Sequence, residues 1–208
     1  IQEEILEMAM SASLFDNRSF SPRDYQNELL SQAIERNVIL CLSSNSAKEF
    51  CALKLIQELS YQLRQKESSK TTLYLTSSSS AFCLISHLTD LRVIDANSND
   101  VQVEWKNLQN DYQVIIVEMK QCLEALDSSL LNLNKINLII VDDCHYSTKK
   151  GEIAELFLKY YNIAKQKPKI LGLAGPVHSA ACNLGRLGAE LEFLENLLNA
   201  KAETASDI

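Results

Sequence analysis

Two stretches of this sequence carry residue types that could bind a nucleotide, and the first is Ser43–Glu49. A strand that leads into a glycine-rich loop ending in Lys and then Ser or Thr binds phosphate through backbone N–H groups and magnesium through the hydroxyl. Lys48 is present here. Asn45 and Ala47, however, occupy glycine positions, and Glu49 replaces the hydroxyl residue. The pattern therefore predicts a degenerate phosphate loop.

The carboxylate of Glu49 would oppose an anionic ligand. Two negative charges about 4 Å apart repel each other by roughly 4 kcal/mol at an effective dielectric constant near 20. That penalty is comparable to the whole binding free energy of a millimolar ligand, about −4 kcal/mol. We therefore expect that neither ATP nor magnesium binds, although Lys48 could still contact a nucleotide or simply pair with a neighbour.

The second stretch is the acidic pair Asp142 and Asp143, followed by Cys144 and His145. It comes directly after an apolar run, at the predicted carboxyl end of a strand, where open α/β sheets collect their ligands. One carboxylate of such a pair can hold hydrated magnesium while the other orients water. Acids in this place are also common as helix caps, so the pair alone leaves a metal site and a structural role open.

Short apolar runs alternate with amphipathic patterns along the chain. The runs are nearly unbroken in hydrophobicity, which is typical of strands buried on both faces of a parallel sheet. They are Val38–Leu42, Thr72–Leu75, Val114–Val117, Ile136–Val141 and Ile170–Ala174. The alternation predicts an α/β domain in which right-handed crossovers place helices on both faces of the sheet.

Apolar periodicity predicts the helices between these strands. The first has Ser21 as its N-cap and Pro22 just inside, and it ends at Asn37. Its predicted buried face consists of Tyr25, Leu29, Leu30, Ala33 and Ile34. The second is expected from about 47 to 65, with these residues inward: Phe50, Leu53, Leu59 and Leu63. A leucine-rich helix after His178 is expected to leave the core.

The same patterns divide the chain into three parts. Residues 1–19 are expected to form an amphipathic leader, residues 20–178 the α/β core, and residues 179–208 a helix that leads toward further domains. The polar run 95–100 is predicted to be a loop. The chain starts without Met and is expected to be a segment of a longer protein.

Together these features resemble the first RecA-like domain of superfamily 2 nucleic-acid helicases of the DExD/H group. Pro22–Gln26 is similar to the glutamine motif, which implies that Gln26 would contact adenine, and the alternative is that Gln26 is an ordinary surface amide. Ser43–Glu49 is similar to the nucleotide loop, and Asp142–His145 is similar to the DECH box with Asp in place of Glu. Leu171–Pro176 is similar to the motif that couples nucleotide state to nucleic acid. The resemblance implies a RecA-like fold.

Longer phrases resemble the helicase region of the Dicer family of ribonuclease III endoribonucleases, above all the microRNA-type members of arthropods. They are Ser21–Leu30, Ser46–Leu55, His87–Arg92, Ile170–Pro176 and Glu203–Ile208. In members of that type the helicase region has lost ATP dependence. The resemblance therefore implies a non-catalytic, cytoplasmic module that helps recognise the loop end of precursor microRNA hairpins, or other double-stranded RNA, while distant domains of the parent enzyme cut.

Two other functions remain open: a residual ATP-dependent RNA helicase or translocase, and a docking platform for a double-stranded-RNA-binding partner protein. By the same resemblance His145 would link the nucleotide site to neighbouring motifs. Asp143 would replace a Glu that orients water, shortening the side chain by one methylene, and a displacement near 1 Å can cost about a hundredfold in rate. We therefore expect no ATPase activity from this segment.

Charge argues against a simple RNA-binding module. The chain has 20 Lys and Arg against 27 Asp and Glu, a net charge of −7, whereas nucleic-acid binders usually present a basic face. RNA contacts are therefore expected to be local, at Ser77 and Ser78 after the second predicted strand and at Lys120 after the third. Glu118 would repel phosphate, and the serine run has a simpler explanation as a solvated loop.

Composition sets the remaining bounds. A chain of 208 residues with 46% hydrophobic and 23% charged residues is typical of one globular domain. Neither a signal peptide nor a membrane-spanning run is visible in the sequence. Its six cysteines lack the close pairing of a zinc site, and they are expected to be reduced thiols packed in the core of a cytoplasmic protein.

Overall fold

The computed structural model describes residues 23–65, 70–97, 105, 107–175 and 184–205, with side chains from 188 onward in the last range. Several predicted features lie outside the described residues: the leader 1–19, Ser21, Pro22, Pro176, His178, Cys182 and the final residues 206–208.

Seven parallel strands of the described residues form one sheet. In chain order they are β1 Val38–Cys41, β2 Thr71–Leu75, β3 Val93–Asp95, β4 Val114–Val117, β5 Ile136–Val141, β6 Lys169–Ala174 and β7 Lys201–Glu203. Their order across the sheet is β3-β4-β2-β5-β6-β1-β7, and every neighbouring pair is parallel. The predicted α/β class with a parallel sheet is confirmed.

The five predicted strands occupy the centre of the sheet, and the two that the patterns missed are its edges. All residues of β2, β4 and β5 are buried, which explains their unbroken apolar runs. β3 and β7 have three residues each, most of them half-buried or exposed. Short edge strands of this kind have polar residues and give no continuous apolar signal.

Helices cover both faces of the sheet. They are α1 Asp24–Glu35, α2 Asn45–Glu58, α3 Ser60–Leu63, α4 Ser80–Leu88, α5 Leu108–Asp111, α6 Met119–Asp127, α7 Glu152–Glu155 and α8 Leu184–Leu198. A π-helix, Leu156–Tyr161, directly follows α7, and Leu133–Lys135 and Cys144–Tyr146 form 3₁₀ turns. Apolar residues of α1, α2 and α4 pack on one face, and those of α6, the π-helix and α8 pack on the other.

The first two helices differ in detail from the prediction. α1 has Arg23 as its N-cap, so it begins later than expected. Its Leu29 and Ala33 are buried as predicted, but Ile34 is 42% exposed and does not belong to the buried face. The predicted second helix is divided at Leu59 into α2 and α3.

The last described helix does not leave the core. Leu194 and Leu198 of α8 are buried in the same cluster as strand residues such as Ile39. The chain then forms β7, which pairs with β1. The end of α8 is therefore part of the sheet's packing, whereas the division of the chain into domains stays a prediction.

The described cysteines are all unbonded: Cys41, Cys51, Cys83, Cys122 and Cys144. Burial raises the pKa of Cys51 to about 11 and that of Cys122 to about 12, so these thiols stay protonated at neutral pH. Protonated, buried thiols act as small apolar groups. Among the described residues, no helix is both long and apolar enough to cross a membrane.

Candidate functional site

Loops that follow four neighbouring strands meet along one edge of the sheet, the edge formed by the carboxyl ends of its strands. β2, β5, β6 and β1 are adjacent and parallel, so their carboxyl ends lie side by side. The two candidate nucleotide-binding stretches follow β1 and β5, and the candidate RNA-contact serines follow β2. This edge is where ligands of open α/β sheets collect, and it brings these stretches together although they are far apart in sequence.

The predicted phosphate loop is not an open loop. Only Leu42–Ser44 separate β1 from α2, and the glycine positions Asn45 and Ala47 already lie in the first turn of that helix. The Ala47 N–H donates to the Ser44 hydroxyl oxygen at 3.4 Å, and the Lys48 N–H donates to the Ser44 carbonyl at 3.2 Å. Backbone donors that would face an anion are thus used inside the helix.

Lys48 points into the protein and is 4% exposed. Its Nζ lies 3.8 Å from Oδ1 of Asp143, a carboxylate whose side chain is 60% exposed. A buried ammonium is costly unless an anion is near, so Asp143 gives Lys48 the neighbour it needs. This ion pair joins the two candidate nucleotide-binding stretches.

Both carboxylate oxygens of Asp142 accept hydrogen bonds from the protein. Oδ1 accepts from the Asp143 N–H at 2.9 Å, and Oδ2 accepts from the Thr76 hydroxyl at 3.0 Å. Asp143 has a φ of 47°, a left-handed conformation that costs a non-glycine residue about 1 kcal/mol or more. Asp142 is therefore held by the backbone of its own turn and by the threonine that follows β2.

Glu49 is connected to the loop after β2. Its Oε1 accepts from the Ser80 hydroxyl at 2.5 Å, and the Ser80 and Ser78 hydroxyl oxygens lie 2.8 Å apart. The Ser78 N–H donates to Thr76 Oγ1 at 3.1 Å. Since Thr76 also bonds Asp142, polar contacts run without interruption from α2 to the turn after β5.

Gln26 stays within its own helix. Its Oε1 accepts from the N–H of the N-cap residue Arg23 at 2.9 Å. Gln26 is the third residue of α1. This is the reciprocal half of a capping box. The amide oxygen predicted to contact adenine is thus used as a helix cap.

His145 connects the acidic turn to the strand beside it. Its Nδ1 accepts from the Gly175 N–H at 3.2 Å, which requires the neutral ring with the proton on Nε2. Burial lowers the pKa of His145 below its ordinary 6.5, an effect that Asp143 and Asp142 oppose and Lys48 reinforces. This hydrogen bond joins His145 to Gly175, which follows β6.

Acid should weaken the fold through His145. Because its pKa is lower in the folded state, the unfolded state binds more protons below the ordinary value of 6.5, and the free energy of unfolding falls as pH decreases through that range. We expect the slope of stability between about pH 7 and pH 5.5 to be shallower in His145→Gln than in the wild type. Urea unfolding at each pH measures it, and equal slopes would contradict this assignment.

Two of the candidate RNA-contact residues line one cleft of about 500 Å³. Ser77 and Lys120 face it, together with the carboxylates of Glu118, Asp142 and Glu152. Ser78 is exposed, but its N–H donates to Thr76 Oγ1 and its hydroxyl oxygen lies 2.8 Å from that of Ser80. The structure therefore brings the candidate contacts to one place and surrounds them with more negative than positive charge.

The sequence patterns missed two residues that hold the site together. Thr76 bonds Asp142, each of them directly following one of two neighbouring strands, and a Cβ on Gly172 would lie only 3.0 Å from Cys144 Sγ. Thr76 comes directly after a predicted strand, and this position could have marked it as a residue of the candidate site. Gly172 interrupts an apolar run, and a glycine inside a strand often marks a close approach.

The residues present do not fit a triphosphate with magnesium. Such a ligand needs free backbone N–H groups, a neutral hydroxyl and a carboxylate able to hold the hydrated metal. Here the Ala47 N–H is used by Ser44, and the hydroxyl position holds Glu49. Lys48 is retained, and Asp142 keeps further acceptor sites although each of its oxygens already accepts one protein donor.

Comparison with known proteins agrees with this architecture. The family model described as type III restriction enzyme, res subunit, matches residues 19–177. The chain is 42% identical over 198 residues to Endoribonuclease Dcr-1 of Drosophila melanogaster, covering 91% of this chain and 9% of that protein. It is 34% identical over 197 residues to Endoribonuclease Dicer of Danio rerio, covering 91% of this chain and 10% of that protein.

A plant relative extends the likeness. Endoribonuclease Dicer homolog 2 of Arabidopsis thaliana is 30% identical over 220 residues, covering 96% of this chain and 16% of that protein. The chain thus spans only a small part of these relatives. The predicted resemblance to a Dicer helicase region is confirmed, and the chain belongs to the helicase-like family of the type III restriction enzyme res subunit, within which it is similar to the Dicer endoribonucleases.

Proposed function

We propose that this domain is a non-catalytic helicase-like module of a Dicer-type ribonuclease III endoribonuclease and that it works without ATP or magnesium. The observation that carries the proposal is the position of Asn45 and Ala47. Both lie inside the first turn of α2, where a phosphate-binding protein would have an open glycine-rich loop. The domain then serves the parent enzyme by its shape and its contacts.

The pairing of the polar groups supports the same conclusion. Glu49 and Asp142 each accept hydrogen bonds from residues of the β2 loop, and Lys48 lies beside Asp143. A nucleotide would have to break these contacts and also approach the Glu49 carboxylate. The broken contacts and the charge repulsion both reduce the binding free energy that a triphosphate could gain.

The RNA we assign to the parent enzyme is the precursor microRNA hairpin, with this domain near its loop end. Ser77, Ser78 and Lys120 are the proposed contacts, because hydroxyls, loop N–H groups and one ammonium can bind phosphate without a basic surface. Cutting belongs to other domains of the parent. We place this work in the cytoplasm.

A basic segment of a double-stranded-RNA-binding partner protein is the second candidate for the same cleft. Glu118, Asp142 and Glu152 outnumber Lys120 among its charged residues, and complementary charge favours a cationic protein segment there. Crosslinking from a photoreactive residue placed at position 120 of the parent enzyme would identify RNA or protein as the occupant.

The parent enzyme should bind no ATP through this domain. We expect no saturable binding of ATP with magnesium below about 1 mM, the affinity that corresponds to roughly −4 kcal/mol, and no stimulation of hydrolysis by hairpin RNA. Isothermal titration and a phosphate-release assay measure the two. Micromolar binding or RNA-stimulated hydrolysis would instead establish the alternative, a residual ATP-dependent helicase or translocase.

Substitutions in the degenerate site provide the control for that titration. Lys48→Ala and Lys48→Met should leave cleavage of precursor hairpins by the folded parent enzyme within about twofold of the wild type, a change of about 0.4 kcal/mol. Thermal unfolding must first establish that each variant is folded. A large loss of cleavage in a folded variant would contradict the proposal.

A further inference from the structure

Glu49 has a partner that the degenerate loop does not explain. Its carboxylate accepts from the Ser80 hydroxyl at 2.5 Å, and the two residues are 31 positions apart in sequence. A hydroxyl-to-carboxylate hydrogen bond of this length is charge-assisted and stronger than a neutral one. It joins the amino-terminal part of α2 to the first residue of α4.

Ser80 belongs to a compact turn of hydroxyls. Its N–H donates to Ser78 Oγ at 3.3 Å, and its own Oγ lies 2.8 Å from the same atom. The Ser78 N–H in turn donates to Thr76 Oγ1 at 3.1 Å. We call residues 76–80 the serine turn.

The serine turn is held from two sides. Glu49 fixes its end at Ser80, and Asp142 fixes its beginning at Thr76. A carboxylate beside the first turn of α4 is also favoured by the helix dipole. Ser77 and Ser78, the proposed RNA contacts, lie between these two anchors, so their position depends on both carboxylates.

Position 49 is the one at which a phosphate-binding loop needs a hydroxyl for magnesium. A threonine there would lack the reach and the charge of the glutamate. The same position thus carries a group that is unsuited to a nucleotide and suited to the serine turn. A glutamate in place of the hydroxyl residue thus exchanges a magnesium ligand for an anchor of the serine turn.

We propose that Glu49 is a positioning residue for RNA: through Ser80 it holds the serine turn in the geometry that contacts RNA, with no nucleotide bound. The inference rests on the proposed function, in which the domain contacts RNA without ATP. It gives Glu49 a role in RNA binding. Loss of nucleotide binding would not by itself require such a role.

The test uses the full-length parent enzyme with Glu49→Ala, Ser80→Ala and the double variant. Glu49→Gln keeps an acceptor oxygen and serves as the conservative rescue. Glu58→Ala is the matched control, because it removes the same charge from an exposed position on the same helix. Thermal unfolding confirms that each variant is folded.

Two readouts separate positioning from general stability. Hydrogen exchange of the Ser78 and Ser80 amides should be about tenfold faster in Glu49→Ala and in Ser80→Ala, because a charge-assisted hydrogen bond is lost. The affinity for a precursor hairpin should fall by a similar factor at fixed salt concentration. The double variant should be no worse than either single one, and Glu49→Gln should recover most of both losses.

Three outcomes would overturn the proposal: Glu49→Ala behaving like Glu58→Ala, faster exchange with unchanged RNA affinity, or additive losses in the double variant. Adding ATP with magnesium to the wild type tests the proposed function separately. Protection of the same amides by nucleotide would refute nucleotide independence, whereas the variants without nucleotide decide the role of Glu49.

Discussion

Replacement of Phe157 by alanine is expected to lower the free energy of unfolding by about 3–5 kcal/mol. The ring is 0% exposed, and its centroid lies 4.9 Å from that of Tyr161 at an interplanar angle of 47°. It packs in the same apolar cluster as Leu194 and Leu198 of α8. Truncation removes buried apolar area and leaves a cavity that this rigid face of the sheet cannot fill.

Leu158→Ala is the matched control for this loss. Leu158 is the next residue of the same π-helix, but it is 62% exposed, so its truncation should change stability by no more than about 0.5 kcal/mol. Urea unfolding of both variants, followed by circular dichroism, gives the comparison. Equal effects at the two positions would contradict the burial described for Phe157.

The π-helix that carries Phe157 illustrates what the sequence patterns could not predict. The Asn162 N–H donates to the Phe157 carbonyl at 3.0 Å, five residues back, and the Tyr161 hydroxyl donates to the Pro168 carbonyl at 3.2 Å. A wider turn shifts the angular position of each following side chain, so the 3.6-residue periodicity used to recognise helices fails there.

Central strands were predictable because burial on both faces leaves a simple trace. The five predicted strands are the inner strands of the sheet, where nearly every residue is apolar. The edges β3 and β7 contain Asp95, Lys201 and Glu203, and their pairing is decided by tertiary contacts. Sequence alone therefore locates the inner strands, but not the edge strands that complete the sheet.

The sequence predicted which strands the candidate stretches follow, but not the hydrogen bonds between them. Lys48 and Asp143 come together because strand ends share an edge, a rule of the parallel sheet. The bonds of Thr76 and Ser80 depend on loop dihedrals and on rotamers, which residue types do not determine. For the same reason, Asn45 inside α2 and Gln26 as a helix cap became visible only in the folded chain.

Gly172→Ala should destabilise the domain by about 1–3 kcal/mol, the usual cost of overpacking. In β6 this glycine pairs with Ile39 of β1 and with Val141 of β5, the strands that lead to the two parts of the candidate site. A Cβ here would lie 3.0 Å from Cys144 Sγ, 3.1 Å from Ile39 Cγ1 and 3.3 Å from a methyl of Leu198. None of these groups is the end of a long flexible chain, so the sheet or the acidic turn must shift.

Gly188→Ala is the matched control, because here the same change from glycine to alanine should stabilise the domain. Gly188 lies in α8, and a Cβ there would have no heavy atom of the described residues within 4 Å. Alanine should therefore stabilise the helix by about 0.5–1 kcal/mol. Urea unfolding of both variants should give shifts of opposite sign, and a neutral Gly172→Ala would mean that the acidic turn can move away from β6. Since Cys144 lies between Asp143 and His145, a shift at Gly172 should also lengthen the His145 to Gly175 hydrogen bond, which the NMR shift of the Gly175 amide would report.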